Sequence, residues 1–216
     1  IHYNNDKLIS ANFTGQLFTK PNYNEPPFWL YSRFTHQLLL SQYNLNETTV
    51  EFYLDALIKY NVKVIHGYPS TLSNFASLIK KRGFDERAKN LKLKCLTVGS
   101  ENLSLFQKRL ISDVFDSNVF NFYSQNEGVA DIFECEHHNL HINENFSFVE
   151  LIPREDKLYR IVGTQLNNEV FPLIRYDTGD LVEYDPLQKC KCGRNSRVIK
   201  RIVGRQEDAL YLINGE

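Results

Sequence analysis

The chain has 216 residues, 42% of them hydrophobic and 24% charged, which is enough apolar side chain to bury a core. Its 25 basic and 26 acidic side chains leave a formal net charge of −1, so it lacks the basic surface that nucleic acids and anionic membranes require. The sequence contains no apolar run long enough to span a membrane, and we predict no signal peptide.

Three helices are predicted between residues 45 and 122. Asn46 can cap the first and Ser70 the second, since both side chains accept hydrogen bonds from a first helical turn. Gly83 ends the second helix, and the third covers residues 105–115. Apolar residues recur in each helix at the three- and four-residue spacing of one buried face. These faces are Val50, Tyr53, Leu54, Leu57 and Ile58 in the first helix, Leu72, Phe75, Ala76 and Ile79 in the second, and Phe106, Leu110 and Val114 in the third.

Short apolar strands are predicted between these helices, at residues 62–65, 95–98 and 119–123. Strands joined by helices of this length form right-handed crossovers in a parallel sheet. Ligands of such sheets bind beyond the carboxyl ends of the strands. Those ends are "HGYPS" (66–70), "GSE" (99–101) and "YSQNEG" (123–128).

The pattern changes after Gly128. Short apolar or alternating segments separated by turns predict an antiparallel sheet or a small distorted barrel. The predicted strands are 146–152, 157–166, 172–176 and 181–185. The fold class is therefore α/β, with a parallel sheet and flanking helices in residues 1–128 and a β-rich, distorted-barrel subdomain in residues 129–204.

The segment after the third strand can be an ordinary polar loop or a ligand site. Tyr123 offers an aromatic face that suits a planar base, and Glu127 offers a carboxylate that suits Mg²⁺ beside phosphates. Both residues lie at a predicted strand end, so both interpretations stay open.

Two carboxylates, Asp177 and Asp180, enclose a Thr-Gly pair. Asp and Gly are common at these positions of an ordinary turn. Asp180, however, is followed at once by a predicted strand, which would fix its carboxylate. A fixed, ionised carboxylate can accept two hydrogen bonds from a ribose diol.

The segment "VGRQED" (203–208) is charge-rich. It can be a solvated strand connection, which is common on any surface. Alternatively it is a hinge, in which Arg205 contacts an anionic ligand and the chain pivots at Gln206 and Glu207.

The order of these motifs resembles the phenylacetate–CoA ligase and CapK-like branch (coenzyme F390 synthetase-like) of the adenylate-forming enzymes. The resemblance covers residues 26–216. Its most specific part is "RYDTGDL" (175–181) followed by "CKCGR" (190–194) and "VGRQED" (203–208), because Cys-x-Cys-Gly in this place is typical of the branch. The motifs that carry it are "PPFW" (26–29), "HGYPS", "TVGSENL" (97–103), "YSQNEG", "PLIRYDTGDL" (172–181) and "CKCGRNSRVIKRIVGRQED" (190–208).

The resemblance implies a reaction in two halves. A carboxylic acid attacks the α-phosphate of MgATP to give an acyl-adenylate and pyrophosphate, and the thiol of coenzyme A then takes the acyl group. Tyr123 would stack on the adenine of ATP or AMP, Glu127 would bind Mg²⁺, and Asp180 would hold the ribose hydroxyls. Arg205 would contact the ribose or a phosphate, which leaves Asp177 to shape the turn.

Two positions depart from the family motif Tyr-Gly-x-Thr-Glu, because this chain has Ser124 and Asn126 there. We assign Ser124 to nucleotide binding and Asn126 to the α-phosphate, to which its amide can donate. Two alternatives remain: an adenylate-forming acyltransferase of polysaccharide biosynthesis with an acceptor other than coenzyme A, and a non-catalytic nucleotide-binding module.

The chain contains no methionine and opens within sequence that already looks structured, so we expect an internal fragment. By the resemblance, a phosphate-binding loop would precede Ile1 and a domain with a catalytic lysine would follow Glu216. Residues 205–216 would be the hinge towards that domain, and the fragment alone would be inactive. Aromatic acids are one possible substrate, since "HGYPS" and Phe28, Trp29, Tyr31 and Phe34 can line a pocket. Core packing is the alternative, and we favour it for Trp29.

The four cysteines are too few for a disulfide framework, so a cytoplasmic location is expected. Cys190 and Cys192 form a Cys-x-Cys pair before Gly193, and we predict a structural Zn²⁺ bound by this pair with Cys135 and His141. Relatives of the family that this chain resembles often have Leu-His-Ile at the position of His141. The alternative is a set of separate thiols and surface histidines, as we expect for Cys95, His137 and His138.

The expected partners are a small carboxylic acid, a nucleotide and coenzyme A, with no nucleic acid and no membrane. The sequence leaves the oligomeric state open, with a homodimer as one possibility.

Overall fold

A computed structural model describes residues 8–16, 18, 20, 23, 25–155 and 157–205. The chain divides into two compact units, Ile1–Phe120 and Asn121–Glu216. Each unit is described separately below. The domain boundaries expected from the sequence, at residues 128 and 204, stay predictions.

The first unit contains a mainly parallel sheet. Its strands are β1 (Ser10–Thr14), β2 (Trp29–Ser32), β3 (Gln37–Ser41), β4 (Val64–Gly67) and β5 (Cys95–Gly99). They lie in the order β2-β3-β1-β4-β5, in which only the edge strand β2 runs antiparallel to its neighbour. The predicted parallel sheet is confirmed, with β4 two residues later than expected.

The helices are α1 (Val50–Lys59), α2 (Pro69–Lys81), the short α3 (Asp85–Lys89) and α4 (Leu105–Phe115). The predicted cap of α1 is wrong, because Thr49 occupies the N-cap position and its side chain makes no capping bond. Asn46 instead accepts from the backbone N–H groups of Thr48 at 2.9 Å and Thr49 at 3.2 Å, in the turn that precedes the helix. Gly83 follows α2 with a left-handed φ of 69°, as predicted for a glycine that ends a helix.

The predicted cap of α2 is wrong. Pro69 occupies the first helical position, where its missing N–H costs nothing, and Ser70 lies inside the helix. The N–H and hydroxyl of Ser70 both donate to the carboxylate of Glu101, at 2.9 Å each. Because Glu101 lies 31 residues away, this cap could not be found by local spacing.

The core of the first unit is built from aromatic rings. The ring centroids of Phe13 and Phe75 lie 5.3 Å apart, and those of Phe28 and Tyr53 lie 5.5 Å apart. The Tyr53 hydroxyl donates to the Ser41 carbonyl at 2.7 Å, which joins α1 to the end of β3. Two predicted core residues are wrong: Phe106 is 75% exposed and Ile58 is 46% exposed. In α4 the buried residues are the predicted Val114 together with Ile111 and Phe115.

The second unit is an antiparallel sheet. Its strands are the end of β6 (Val119–Ser124), β7 (Asp131–Glu134), β8 (Leu140–Ile142), β9 (Ser147–Pro153), β10 (Leu158–Gln165), β11 (Tyr176–Tyr184) and β12 (Val198–Arg205). They lie in the order β6-β7-β8-β12-β11-β10-β9, and every pairing in this series is antiparallel. The β10–β11 and β11–β12 pairings contain bulges or irregularities. Among the described residues no ladder joins β6 to β9, so the sheet stays open. The core residues are Ala130, Ile132, Ile142, Val149, Ile161, Val182 and Ile199.

The predicted strand at 172–176 is wrong, because residues 166–175 form a loop and β11 begins at Tyr176. The N–H of Leu173 donates to the Gln165 side chain at 3.0 Å, and the N–H of Arg175 donates to the Thr164 hydroxyl at 2.9 Å. Arg175 also has a left-handed φ of 51°, which interrupts an extended chain.

Candidate functional site

Asp180 lies on β11 and is held by a tyrosine from β6. The Tyr123 hydroxyl donates to Oδ2 of Asp180 at 2.6 Å. Burial, followed by the Asp180 carboxylate, raises the pKa of Tyr123 far above its ordinary value, so the hydroxyl remains a donor. Asp180 Oδ2 is therefore fixed by this bond, and Oδ1 can still accept hydrogen bonds.

The backbone before Asp180 is fixed by its own side chains. The Thr178 hydroxyl donates to the Ile161 carbonyl at 3.0 Å and accepts from the Asp180 N–H at 3.1 Å. Gly179 has a φ of 73°, and its N–H donates to Asp177 at 3.2 Å. The predicted turn ahead of a strand is wrong, because Asp177–Asp180 lie within β11, at an irregularity in its pairing with β10.

Arg205 lies directly opposite Asp180 in the register of β11 and β12. Opposite residues of an antiparallel pair share one face of the sheet, with Cβ atoms about 4.5–5.5 Å apart. A cation therefore stands beside the carboxylate that the sequence assigns to ribose.

Glu127 is held in the loop that follows β6. The Tyr176 hydroxyl donates to Oε1 of Glu127 at 3.3 Å, and the charge of Glu127 is the largest cause that raises the pKa of Tyr176. The Gln165 side chain donates to the Glu127 carbonyl and accepts from the Leu173 N–H at 3.0 Å. Gln165 thus ties the Glu127 loop to the loop before β11. We call Tyr123, Glu127, Asp180 and Arg205 the Asp180 cluster.

Strand β10 packs closely against the chain that follows this loop. A Cβ atom added at Gly163 would lie 2.1 Å from the Val129 carbonyl oxygen, which is closer than atoms can approach. Asn126, in the same loop as Glu127, and Ser124, the last residue of β6, are exposed. The loop is therefore fixed from behind while its polar side chains face solvent.

Cys135, His141, Cys190 and Cys192 lie together, with all four potential ligand atoms within 4.8 Å of one another. The sulfurs of Cys135 and Cys190 are 3.6 Å apart, and the Cys192 sulfur lies 3.4 Å from Nε2 of His141. Sulfurs bound to one tetrahedral zinc at 2.3 Å would be about 3.8 Å apart. We call these four residues the Cys/His cluster.

The surroundings of the Cys/His cluster fit a zinc ion. Nδ1 of His141 lies 3.0 Å from the Ser196 hydroxyl, so the proton can sit on Nδ1 and leave the Nε2 lone pair directed at the thiols. The Asn139 amide donates to the Cys190 sulfur at 3.4 Å, and Gly193 turns the chain with a φ of 78°. Three thiolates and one imidazole form a closed structural zinc set.

The other candidate ligands lie apart from the Cys/His cluster. His137 and His138 are exposed, but Nδ1 of His138 lies 2.8 Å from Glu134, so this histidine is not simply solvated. Cys95 is a partly buried thiol on β5, and burial raises its pKa.

Two curated relatives match most of the chain. Protein CapK from Staphylococcus aureus is 26% identical over 183 residues, which cover 85% of this chain and 40% of CapK. Phenylacetate-coenzyme A ligase from Thermus thermophilus is 27% identical over 164 residues, which cover 71% of this chain and 36% of the ligase. The chain thus spans about 40% or less of the length of these relatives. No family model matches it.

Solved structures agree on the fold. A 2-hydroxyisobutyryl-CoA ligase in its postadenylation state, in complex with 2-HIB-AMP, has a TM-score of 0.67 at 20% identity, over 84% of this chain and 40% of the ligase. The anthranilate CoA ligase AuaEII in complex with anthranoyl-AMP has a TM-score of 0.56 at 11% identity, over 82% and 36% of the two chains. The chain is therefore similar to CapK and phenylacetate-coenzyme A ligase, which supports the branch of the adenylate-forming superfamily that its motifs resemble.

The structure brings together Tyr123, Glu127, Asp180 and Arg205, which we predicted for the nucleotide. Asn126 only shares the Glu127 loop, and Ser124 is the last residue of β6. Tyr176, Thr178 and Gln165 were missed. Tyr176 and Thr178 lie inside the motif "RYDTGD", so the alternation of side chains along a strand could have indicated them. Gln165 lies 38 residues from Glu127 and has no sequence signal.

The aromatic residues expected near the acid do not form a pocket. Phe28 is fully buried in the core, Tyr31 stacks on Tyr60 at 4.7 Å, and Phe34 is 96% exposed. Trp29 packs against the core, as we favoured.

The predicted hinge at Gln206 and Glu207 lies outside the described residues. No helix in the described part of the chain has the length and hydropathy needed to cross a membrane.

Proposed function

We propose that this chain is the central nucleotide- and acyl-binding part of an ATP-dependent acid–CoA ligase that forms an acyl-adenylate and then a thioester. One observation carries the proposal: Tyr123 and Arg205 both lie beside Asp180, on a stretch of β11 whose backbone is fixed by its own side chains. A fixed carboxylate next to a cation suits a ribose that bears a phosphate.

Each residue of the Asp180 cluster has one role in this proposal. Asp180 accepts hydrogen bonds from the ribose hydroxyls, and Tyr123 holds the carboxylate while its ring offers a surface to adenine. Arg205 contacts the ribose or a phosphate. Glu127 is the Mg²⁺ ligand, and Tyr176 and Gln165 hold it in position.

The exposed loop residues complete the nucleotide site. Asn126 can donate its amide to the α-phosphate as negative charge develops there, and Ser124 can donate its hydroxyl to the nucleotide. Mg²⁺, when bound, neutralises the phosphates during the attack by the carboxylate.

Coenzyme A is the proposed acceptor, because phenylacetate-coenzyme A ligase is a relative and the solved neighbours are CoA ligases. Since the chain covers 40% of CapK, we expect these 216 residues to bind nucleotide without completing turnover. Aromatic acids stay a prediction from the sequence, as do the cytoplasmic location and a homodimer.

CapK is also a relative, which keeps an acyltransferase with another acceptor as a second candidate. The departures from the family motif at Ser124 and Asn126 support a third candidate, a module that binds nucleotide without catalysis.

We also propose that the Cys/His cluster binds one structural Zn²⁺. The site joins the turn after β7 to the turn between β11 and β12 and has no open position for a substrate. Its role is therefore to stabilise the β-rich unit.

Calorimetric titration with ATP, with and without Mg²⁺, tests the ligase proposal. Mg²⁺ is expected to tighten ATP binding, and Glu127→Gln is expected to remove most of that gain while AMP binding stays. Glu155→Gln, on an exposed loop, is the matched control. If Mg²⁺ leaves the ATP affinity of the unmodified chain unchanged, the result would favour the non-catalytic module.

A further inference from the structure

The first unit contains a cleft of about 590 Å³ at the carboxyl ends of its four parallel strands. Gly15 follows β1, Gln42 follows β3, Tyr68 follows β4, and Glu101 stands two residues after β5. All four line the cleft. This edge of a parallel sheet is where ligands bind, and the cleft has the volume of a small-molecule site.

The described lining is polar and carries one formal charge, that of Glu101. Leu45 is the single aliphatic side chain among these lining residues, and the rest are Gly15, Gln42, Tyr43, Tyr68, Ser70, Thr71, Asn74 and Glu101. A lining of amides, hydroxyls and two tyrosine rings offers hydrogen bonds in both directions, together with flat apolar surface.

Several of these polar groups are held in place. Glu101 accepts two hydrogen bonds from Ser70 at the start of α2. The Thr71 hydroxyl donates to Oε1 of Gln42 at 3.1 Å, and the Tyr43 hydroxyl donates to the Gly15 carbonyl at 3.1 Å. Fixed donors and acceptors lose little conformational entropy when a ligand binds.

This chemistry excludes two ligand classes. An aromatic hydrocarbon would displace water from the Asn74 amide and from the remaining hydrogen-bonding positions of Gln42 and Glu101 without replacing its hydrogen bonds, which is costly. A phosphate or a second carboxylate would meet the charge of Glu101 with no cation in the described lining to offset it.

We propose that the cleft binds a sugar-like ring with several hydroxyl groups, and that Glu101 favours a ring carrying an ammonium group. The amides and hydroxyls pair with the ring hydroxyls, and Tyr43 and Tyr68 cover its apolar faces. Resting on the proposed function, this makes the activated acid a hydroxylated or amino-substituted acid in place of an aromatic acid.

Ligand-observed NMR titration of the chain with three probes that lack a carboxylate tests this inference. The probes are glucosamine, methyl β-D-glucopyranoside and benzyl alcohol. Glucosamine should bind most tightly, the glucoside next, and benzyl alcohol least. Glu101→Gln, which can still accept from Ser70, should reduce the preference for glucosamine over the glucoside by about two- to fivefold, the range expected for an exposed ion pair. Equal or tighter binding of benzyl alcohol overturns the inference.

Asn74→Leu supplies a second variant, because it places an apolar side chain in the cleft at an exposed helix position. It should weaken both sugars and leave thermal stability unchanged. Glu86→Gln, an exposed residue of α3 outside the cleft, is the control and should change neither. Sugar binding that survives Asn74→Leu would contradict the inference. AMP is titrated in parallel: AMP binding without sugar binding overturns the cleft alone, and sugar binding without AMP binding overturns the proposed function alone.

Discussion

The Asp180 cluster and the Cys/His cluster belong to the same β-rich unit but are organised in opposite ways. In the Cys/His cluster the four ligand atoms face one another within 4.8 Å. In the Asp180 cluster the functional groups are bonded to supporting side chains, as Asp180 is to Tyr123 and Glu127 is to Tyr176. In a structural metal site the ligand atoms are all directed at one another and at the metal. In a binding site some hydrogen-bond acceptors are left free for the ligand.

The two clusters also differ in how their contacts hold distant parts of the chain together. The Cys/His cluster joins two turns through four ligand atoms, so its loss affects folding. The Asp180 cluster depends on the close packing of β10 and on single hydrogen bonds, so its disturbance affects binding first. The following predictions separate the two, beginning with the largest effect.

Replacing both thiols of the Cys-x-Cys pair, Cys190→Ser with Cys192→Ser, is expected to remove the metal. Protein purified without chelator should contain about one zinc per chain, and the double variant none. Since structural zinc supplies folding free energy directly, Tm should fall by roughly 10 °C or more. Metal analysis and thermal denaturation measure both effects.

Cys95→Ser is the matched control, because Cys95 lies on β5 outside the cluster. It should keep the full zinc content. Unmodified protein that contains no zinc, or a double variant of unchanged stability, would contradict the structural role of the site.

Gly163→Ala is expected to disturb the Asp180 cluster and leave the Cys/His cluster unchanged. The new methyl group would meet the Val129 carbonyl and force β10 away from the Glu127 loop, at about 1–3 kcal/mol of stability. Nucleotide affinity should fall while zinc content stays at one per chain. Denaturant unfolding and AMP titration measure the change, and unaltered AMP affinity would show that the packing of β10 does not position the loop.

Tyr123→Phe removes the hydroxyl that fixes Asp180 and keeps the ring. We expect AMP affinity to fall about fivefold, which corresponds to one net hydrogen bond of about 1 kcal/mol. Titration calorimetry measures this change, and zinc content serves as the internal control. A drop as large as that of an Asp180 variant would mean that the tyrosine contacts the nucleotide through more than its ring.

The smallest predicted effect concerns acid stability. Hydrogen bonds from Arg201, then from Lys200, lower the pKa of Glu183 below its ordinary value of 4.5. The ionised form is favoured in the folded state, so this contribution is complete above pH 4.5 and is lost as the pH falls through the lower folded pKa. Glu183→Gln should lower Tm slightly at pH 7, and the difference from the unmodified chain should disappear as the pH falls well below 4.5. Thermal denaturation across this pH range measures the effect, and an equal difference at both ends would contradict it.

Local signals account for what the sequence predicted. Helical spacing found the buried face of α2 and, apart from Ile58, that of α1, and Gly83 marked the end of α2. The Cys-x-Cys pair and "LHI" contain the three residues that the structure brings together with Cys135.

The errors have long-range causes. Ser70 is paired with Glu101 rather than capping α2, which spacing along one helix cannot show. The strand expected at 172–176 is a loop because Gln165 and Thr164 accept its backbone N–H groups. The roles of single residues in the Asp180 cluster stay predictions that binding experiments decide.

The most direct test of the account is the affinity of the chain for AMP before and after Asp180→Ala, with the exposed Asp113→Ala on α4 as control. A hydrogen bond to a charged acceptor contributes on the order of 1.5–3 kcal/mol. The account therefore predicts that Asp180→Ala weakens AMP binding more than about tenfold and that Asp113→Ala leaves it unchanged. Equal AMP affinity in the unmodified chain and in Asp180→Ala would contradict the assignment of Asp180 to the ribose, and with it the nucleotide site.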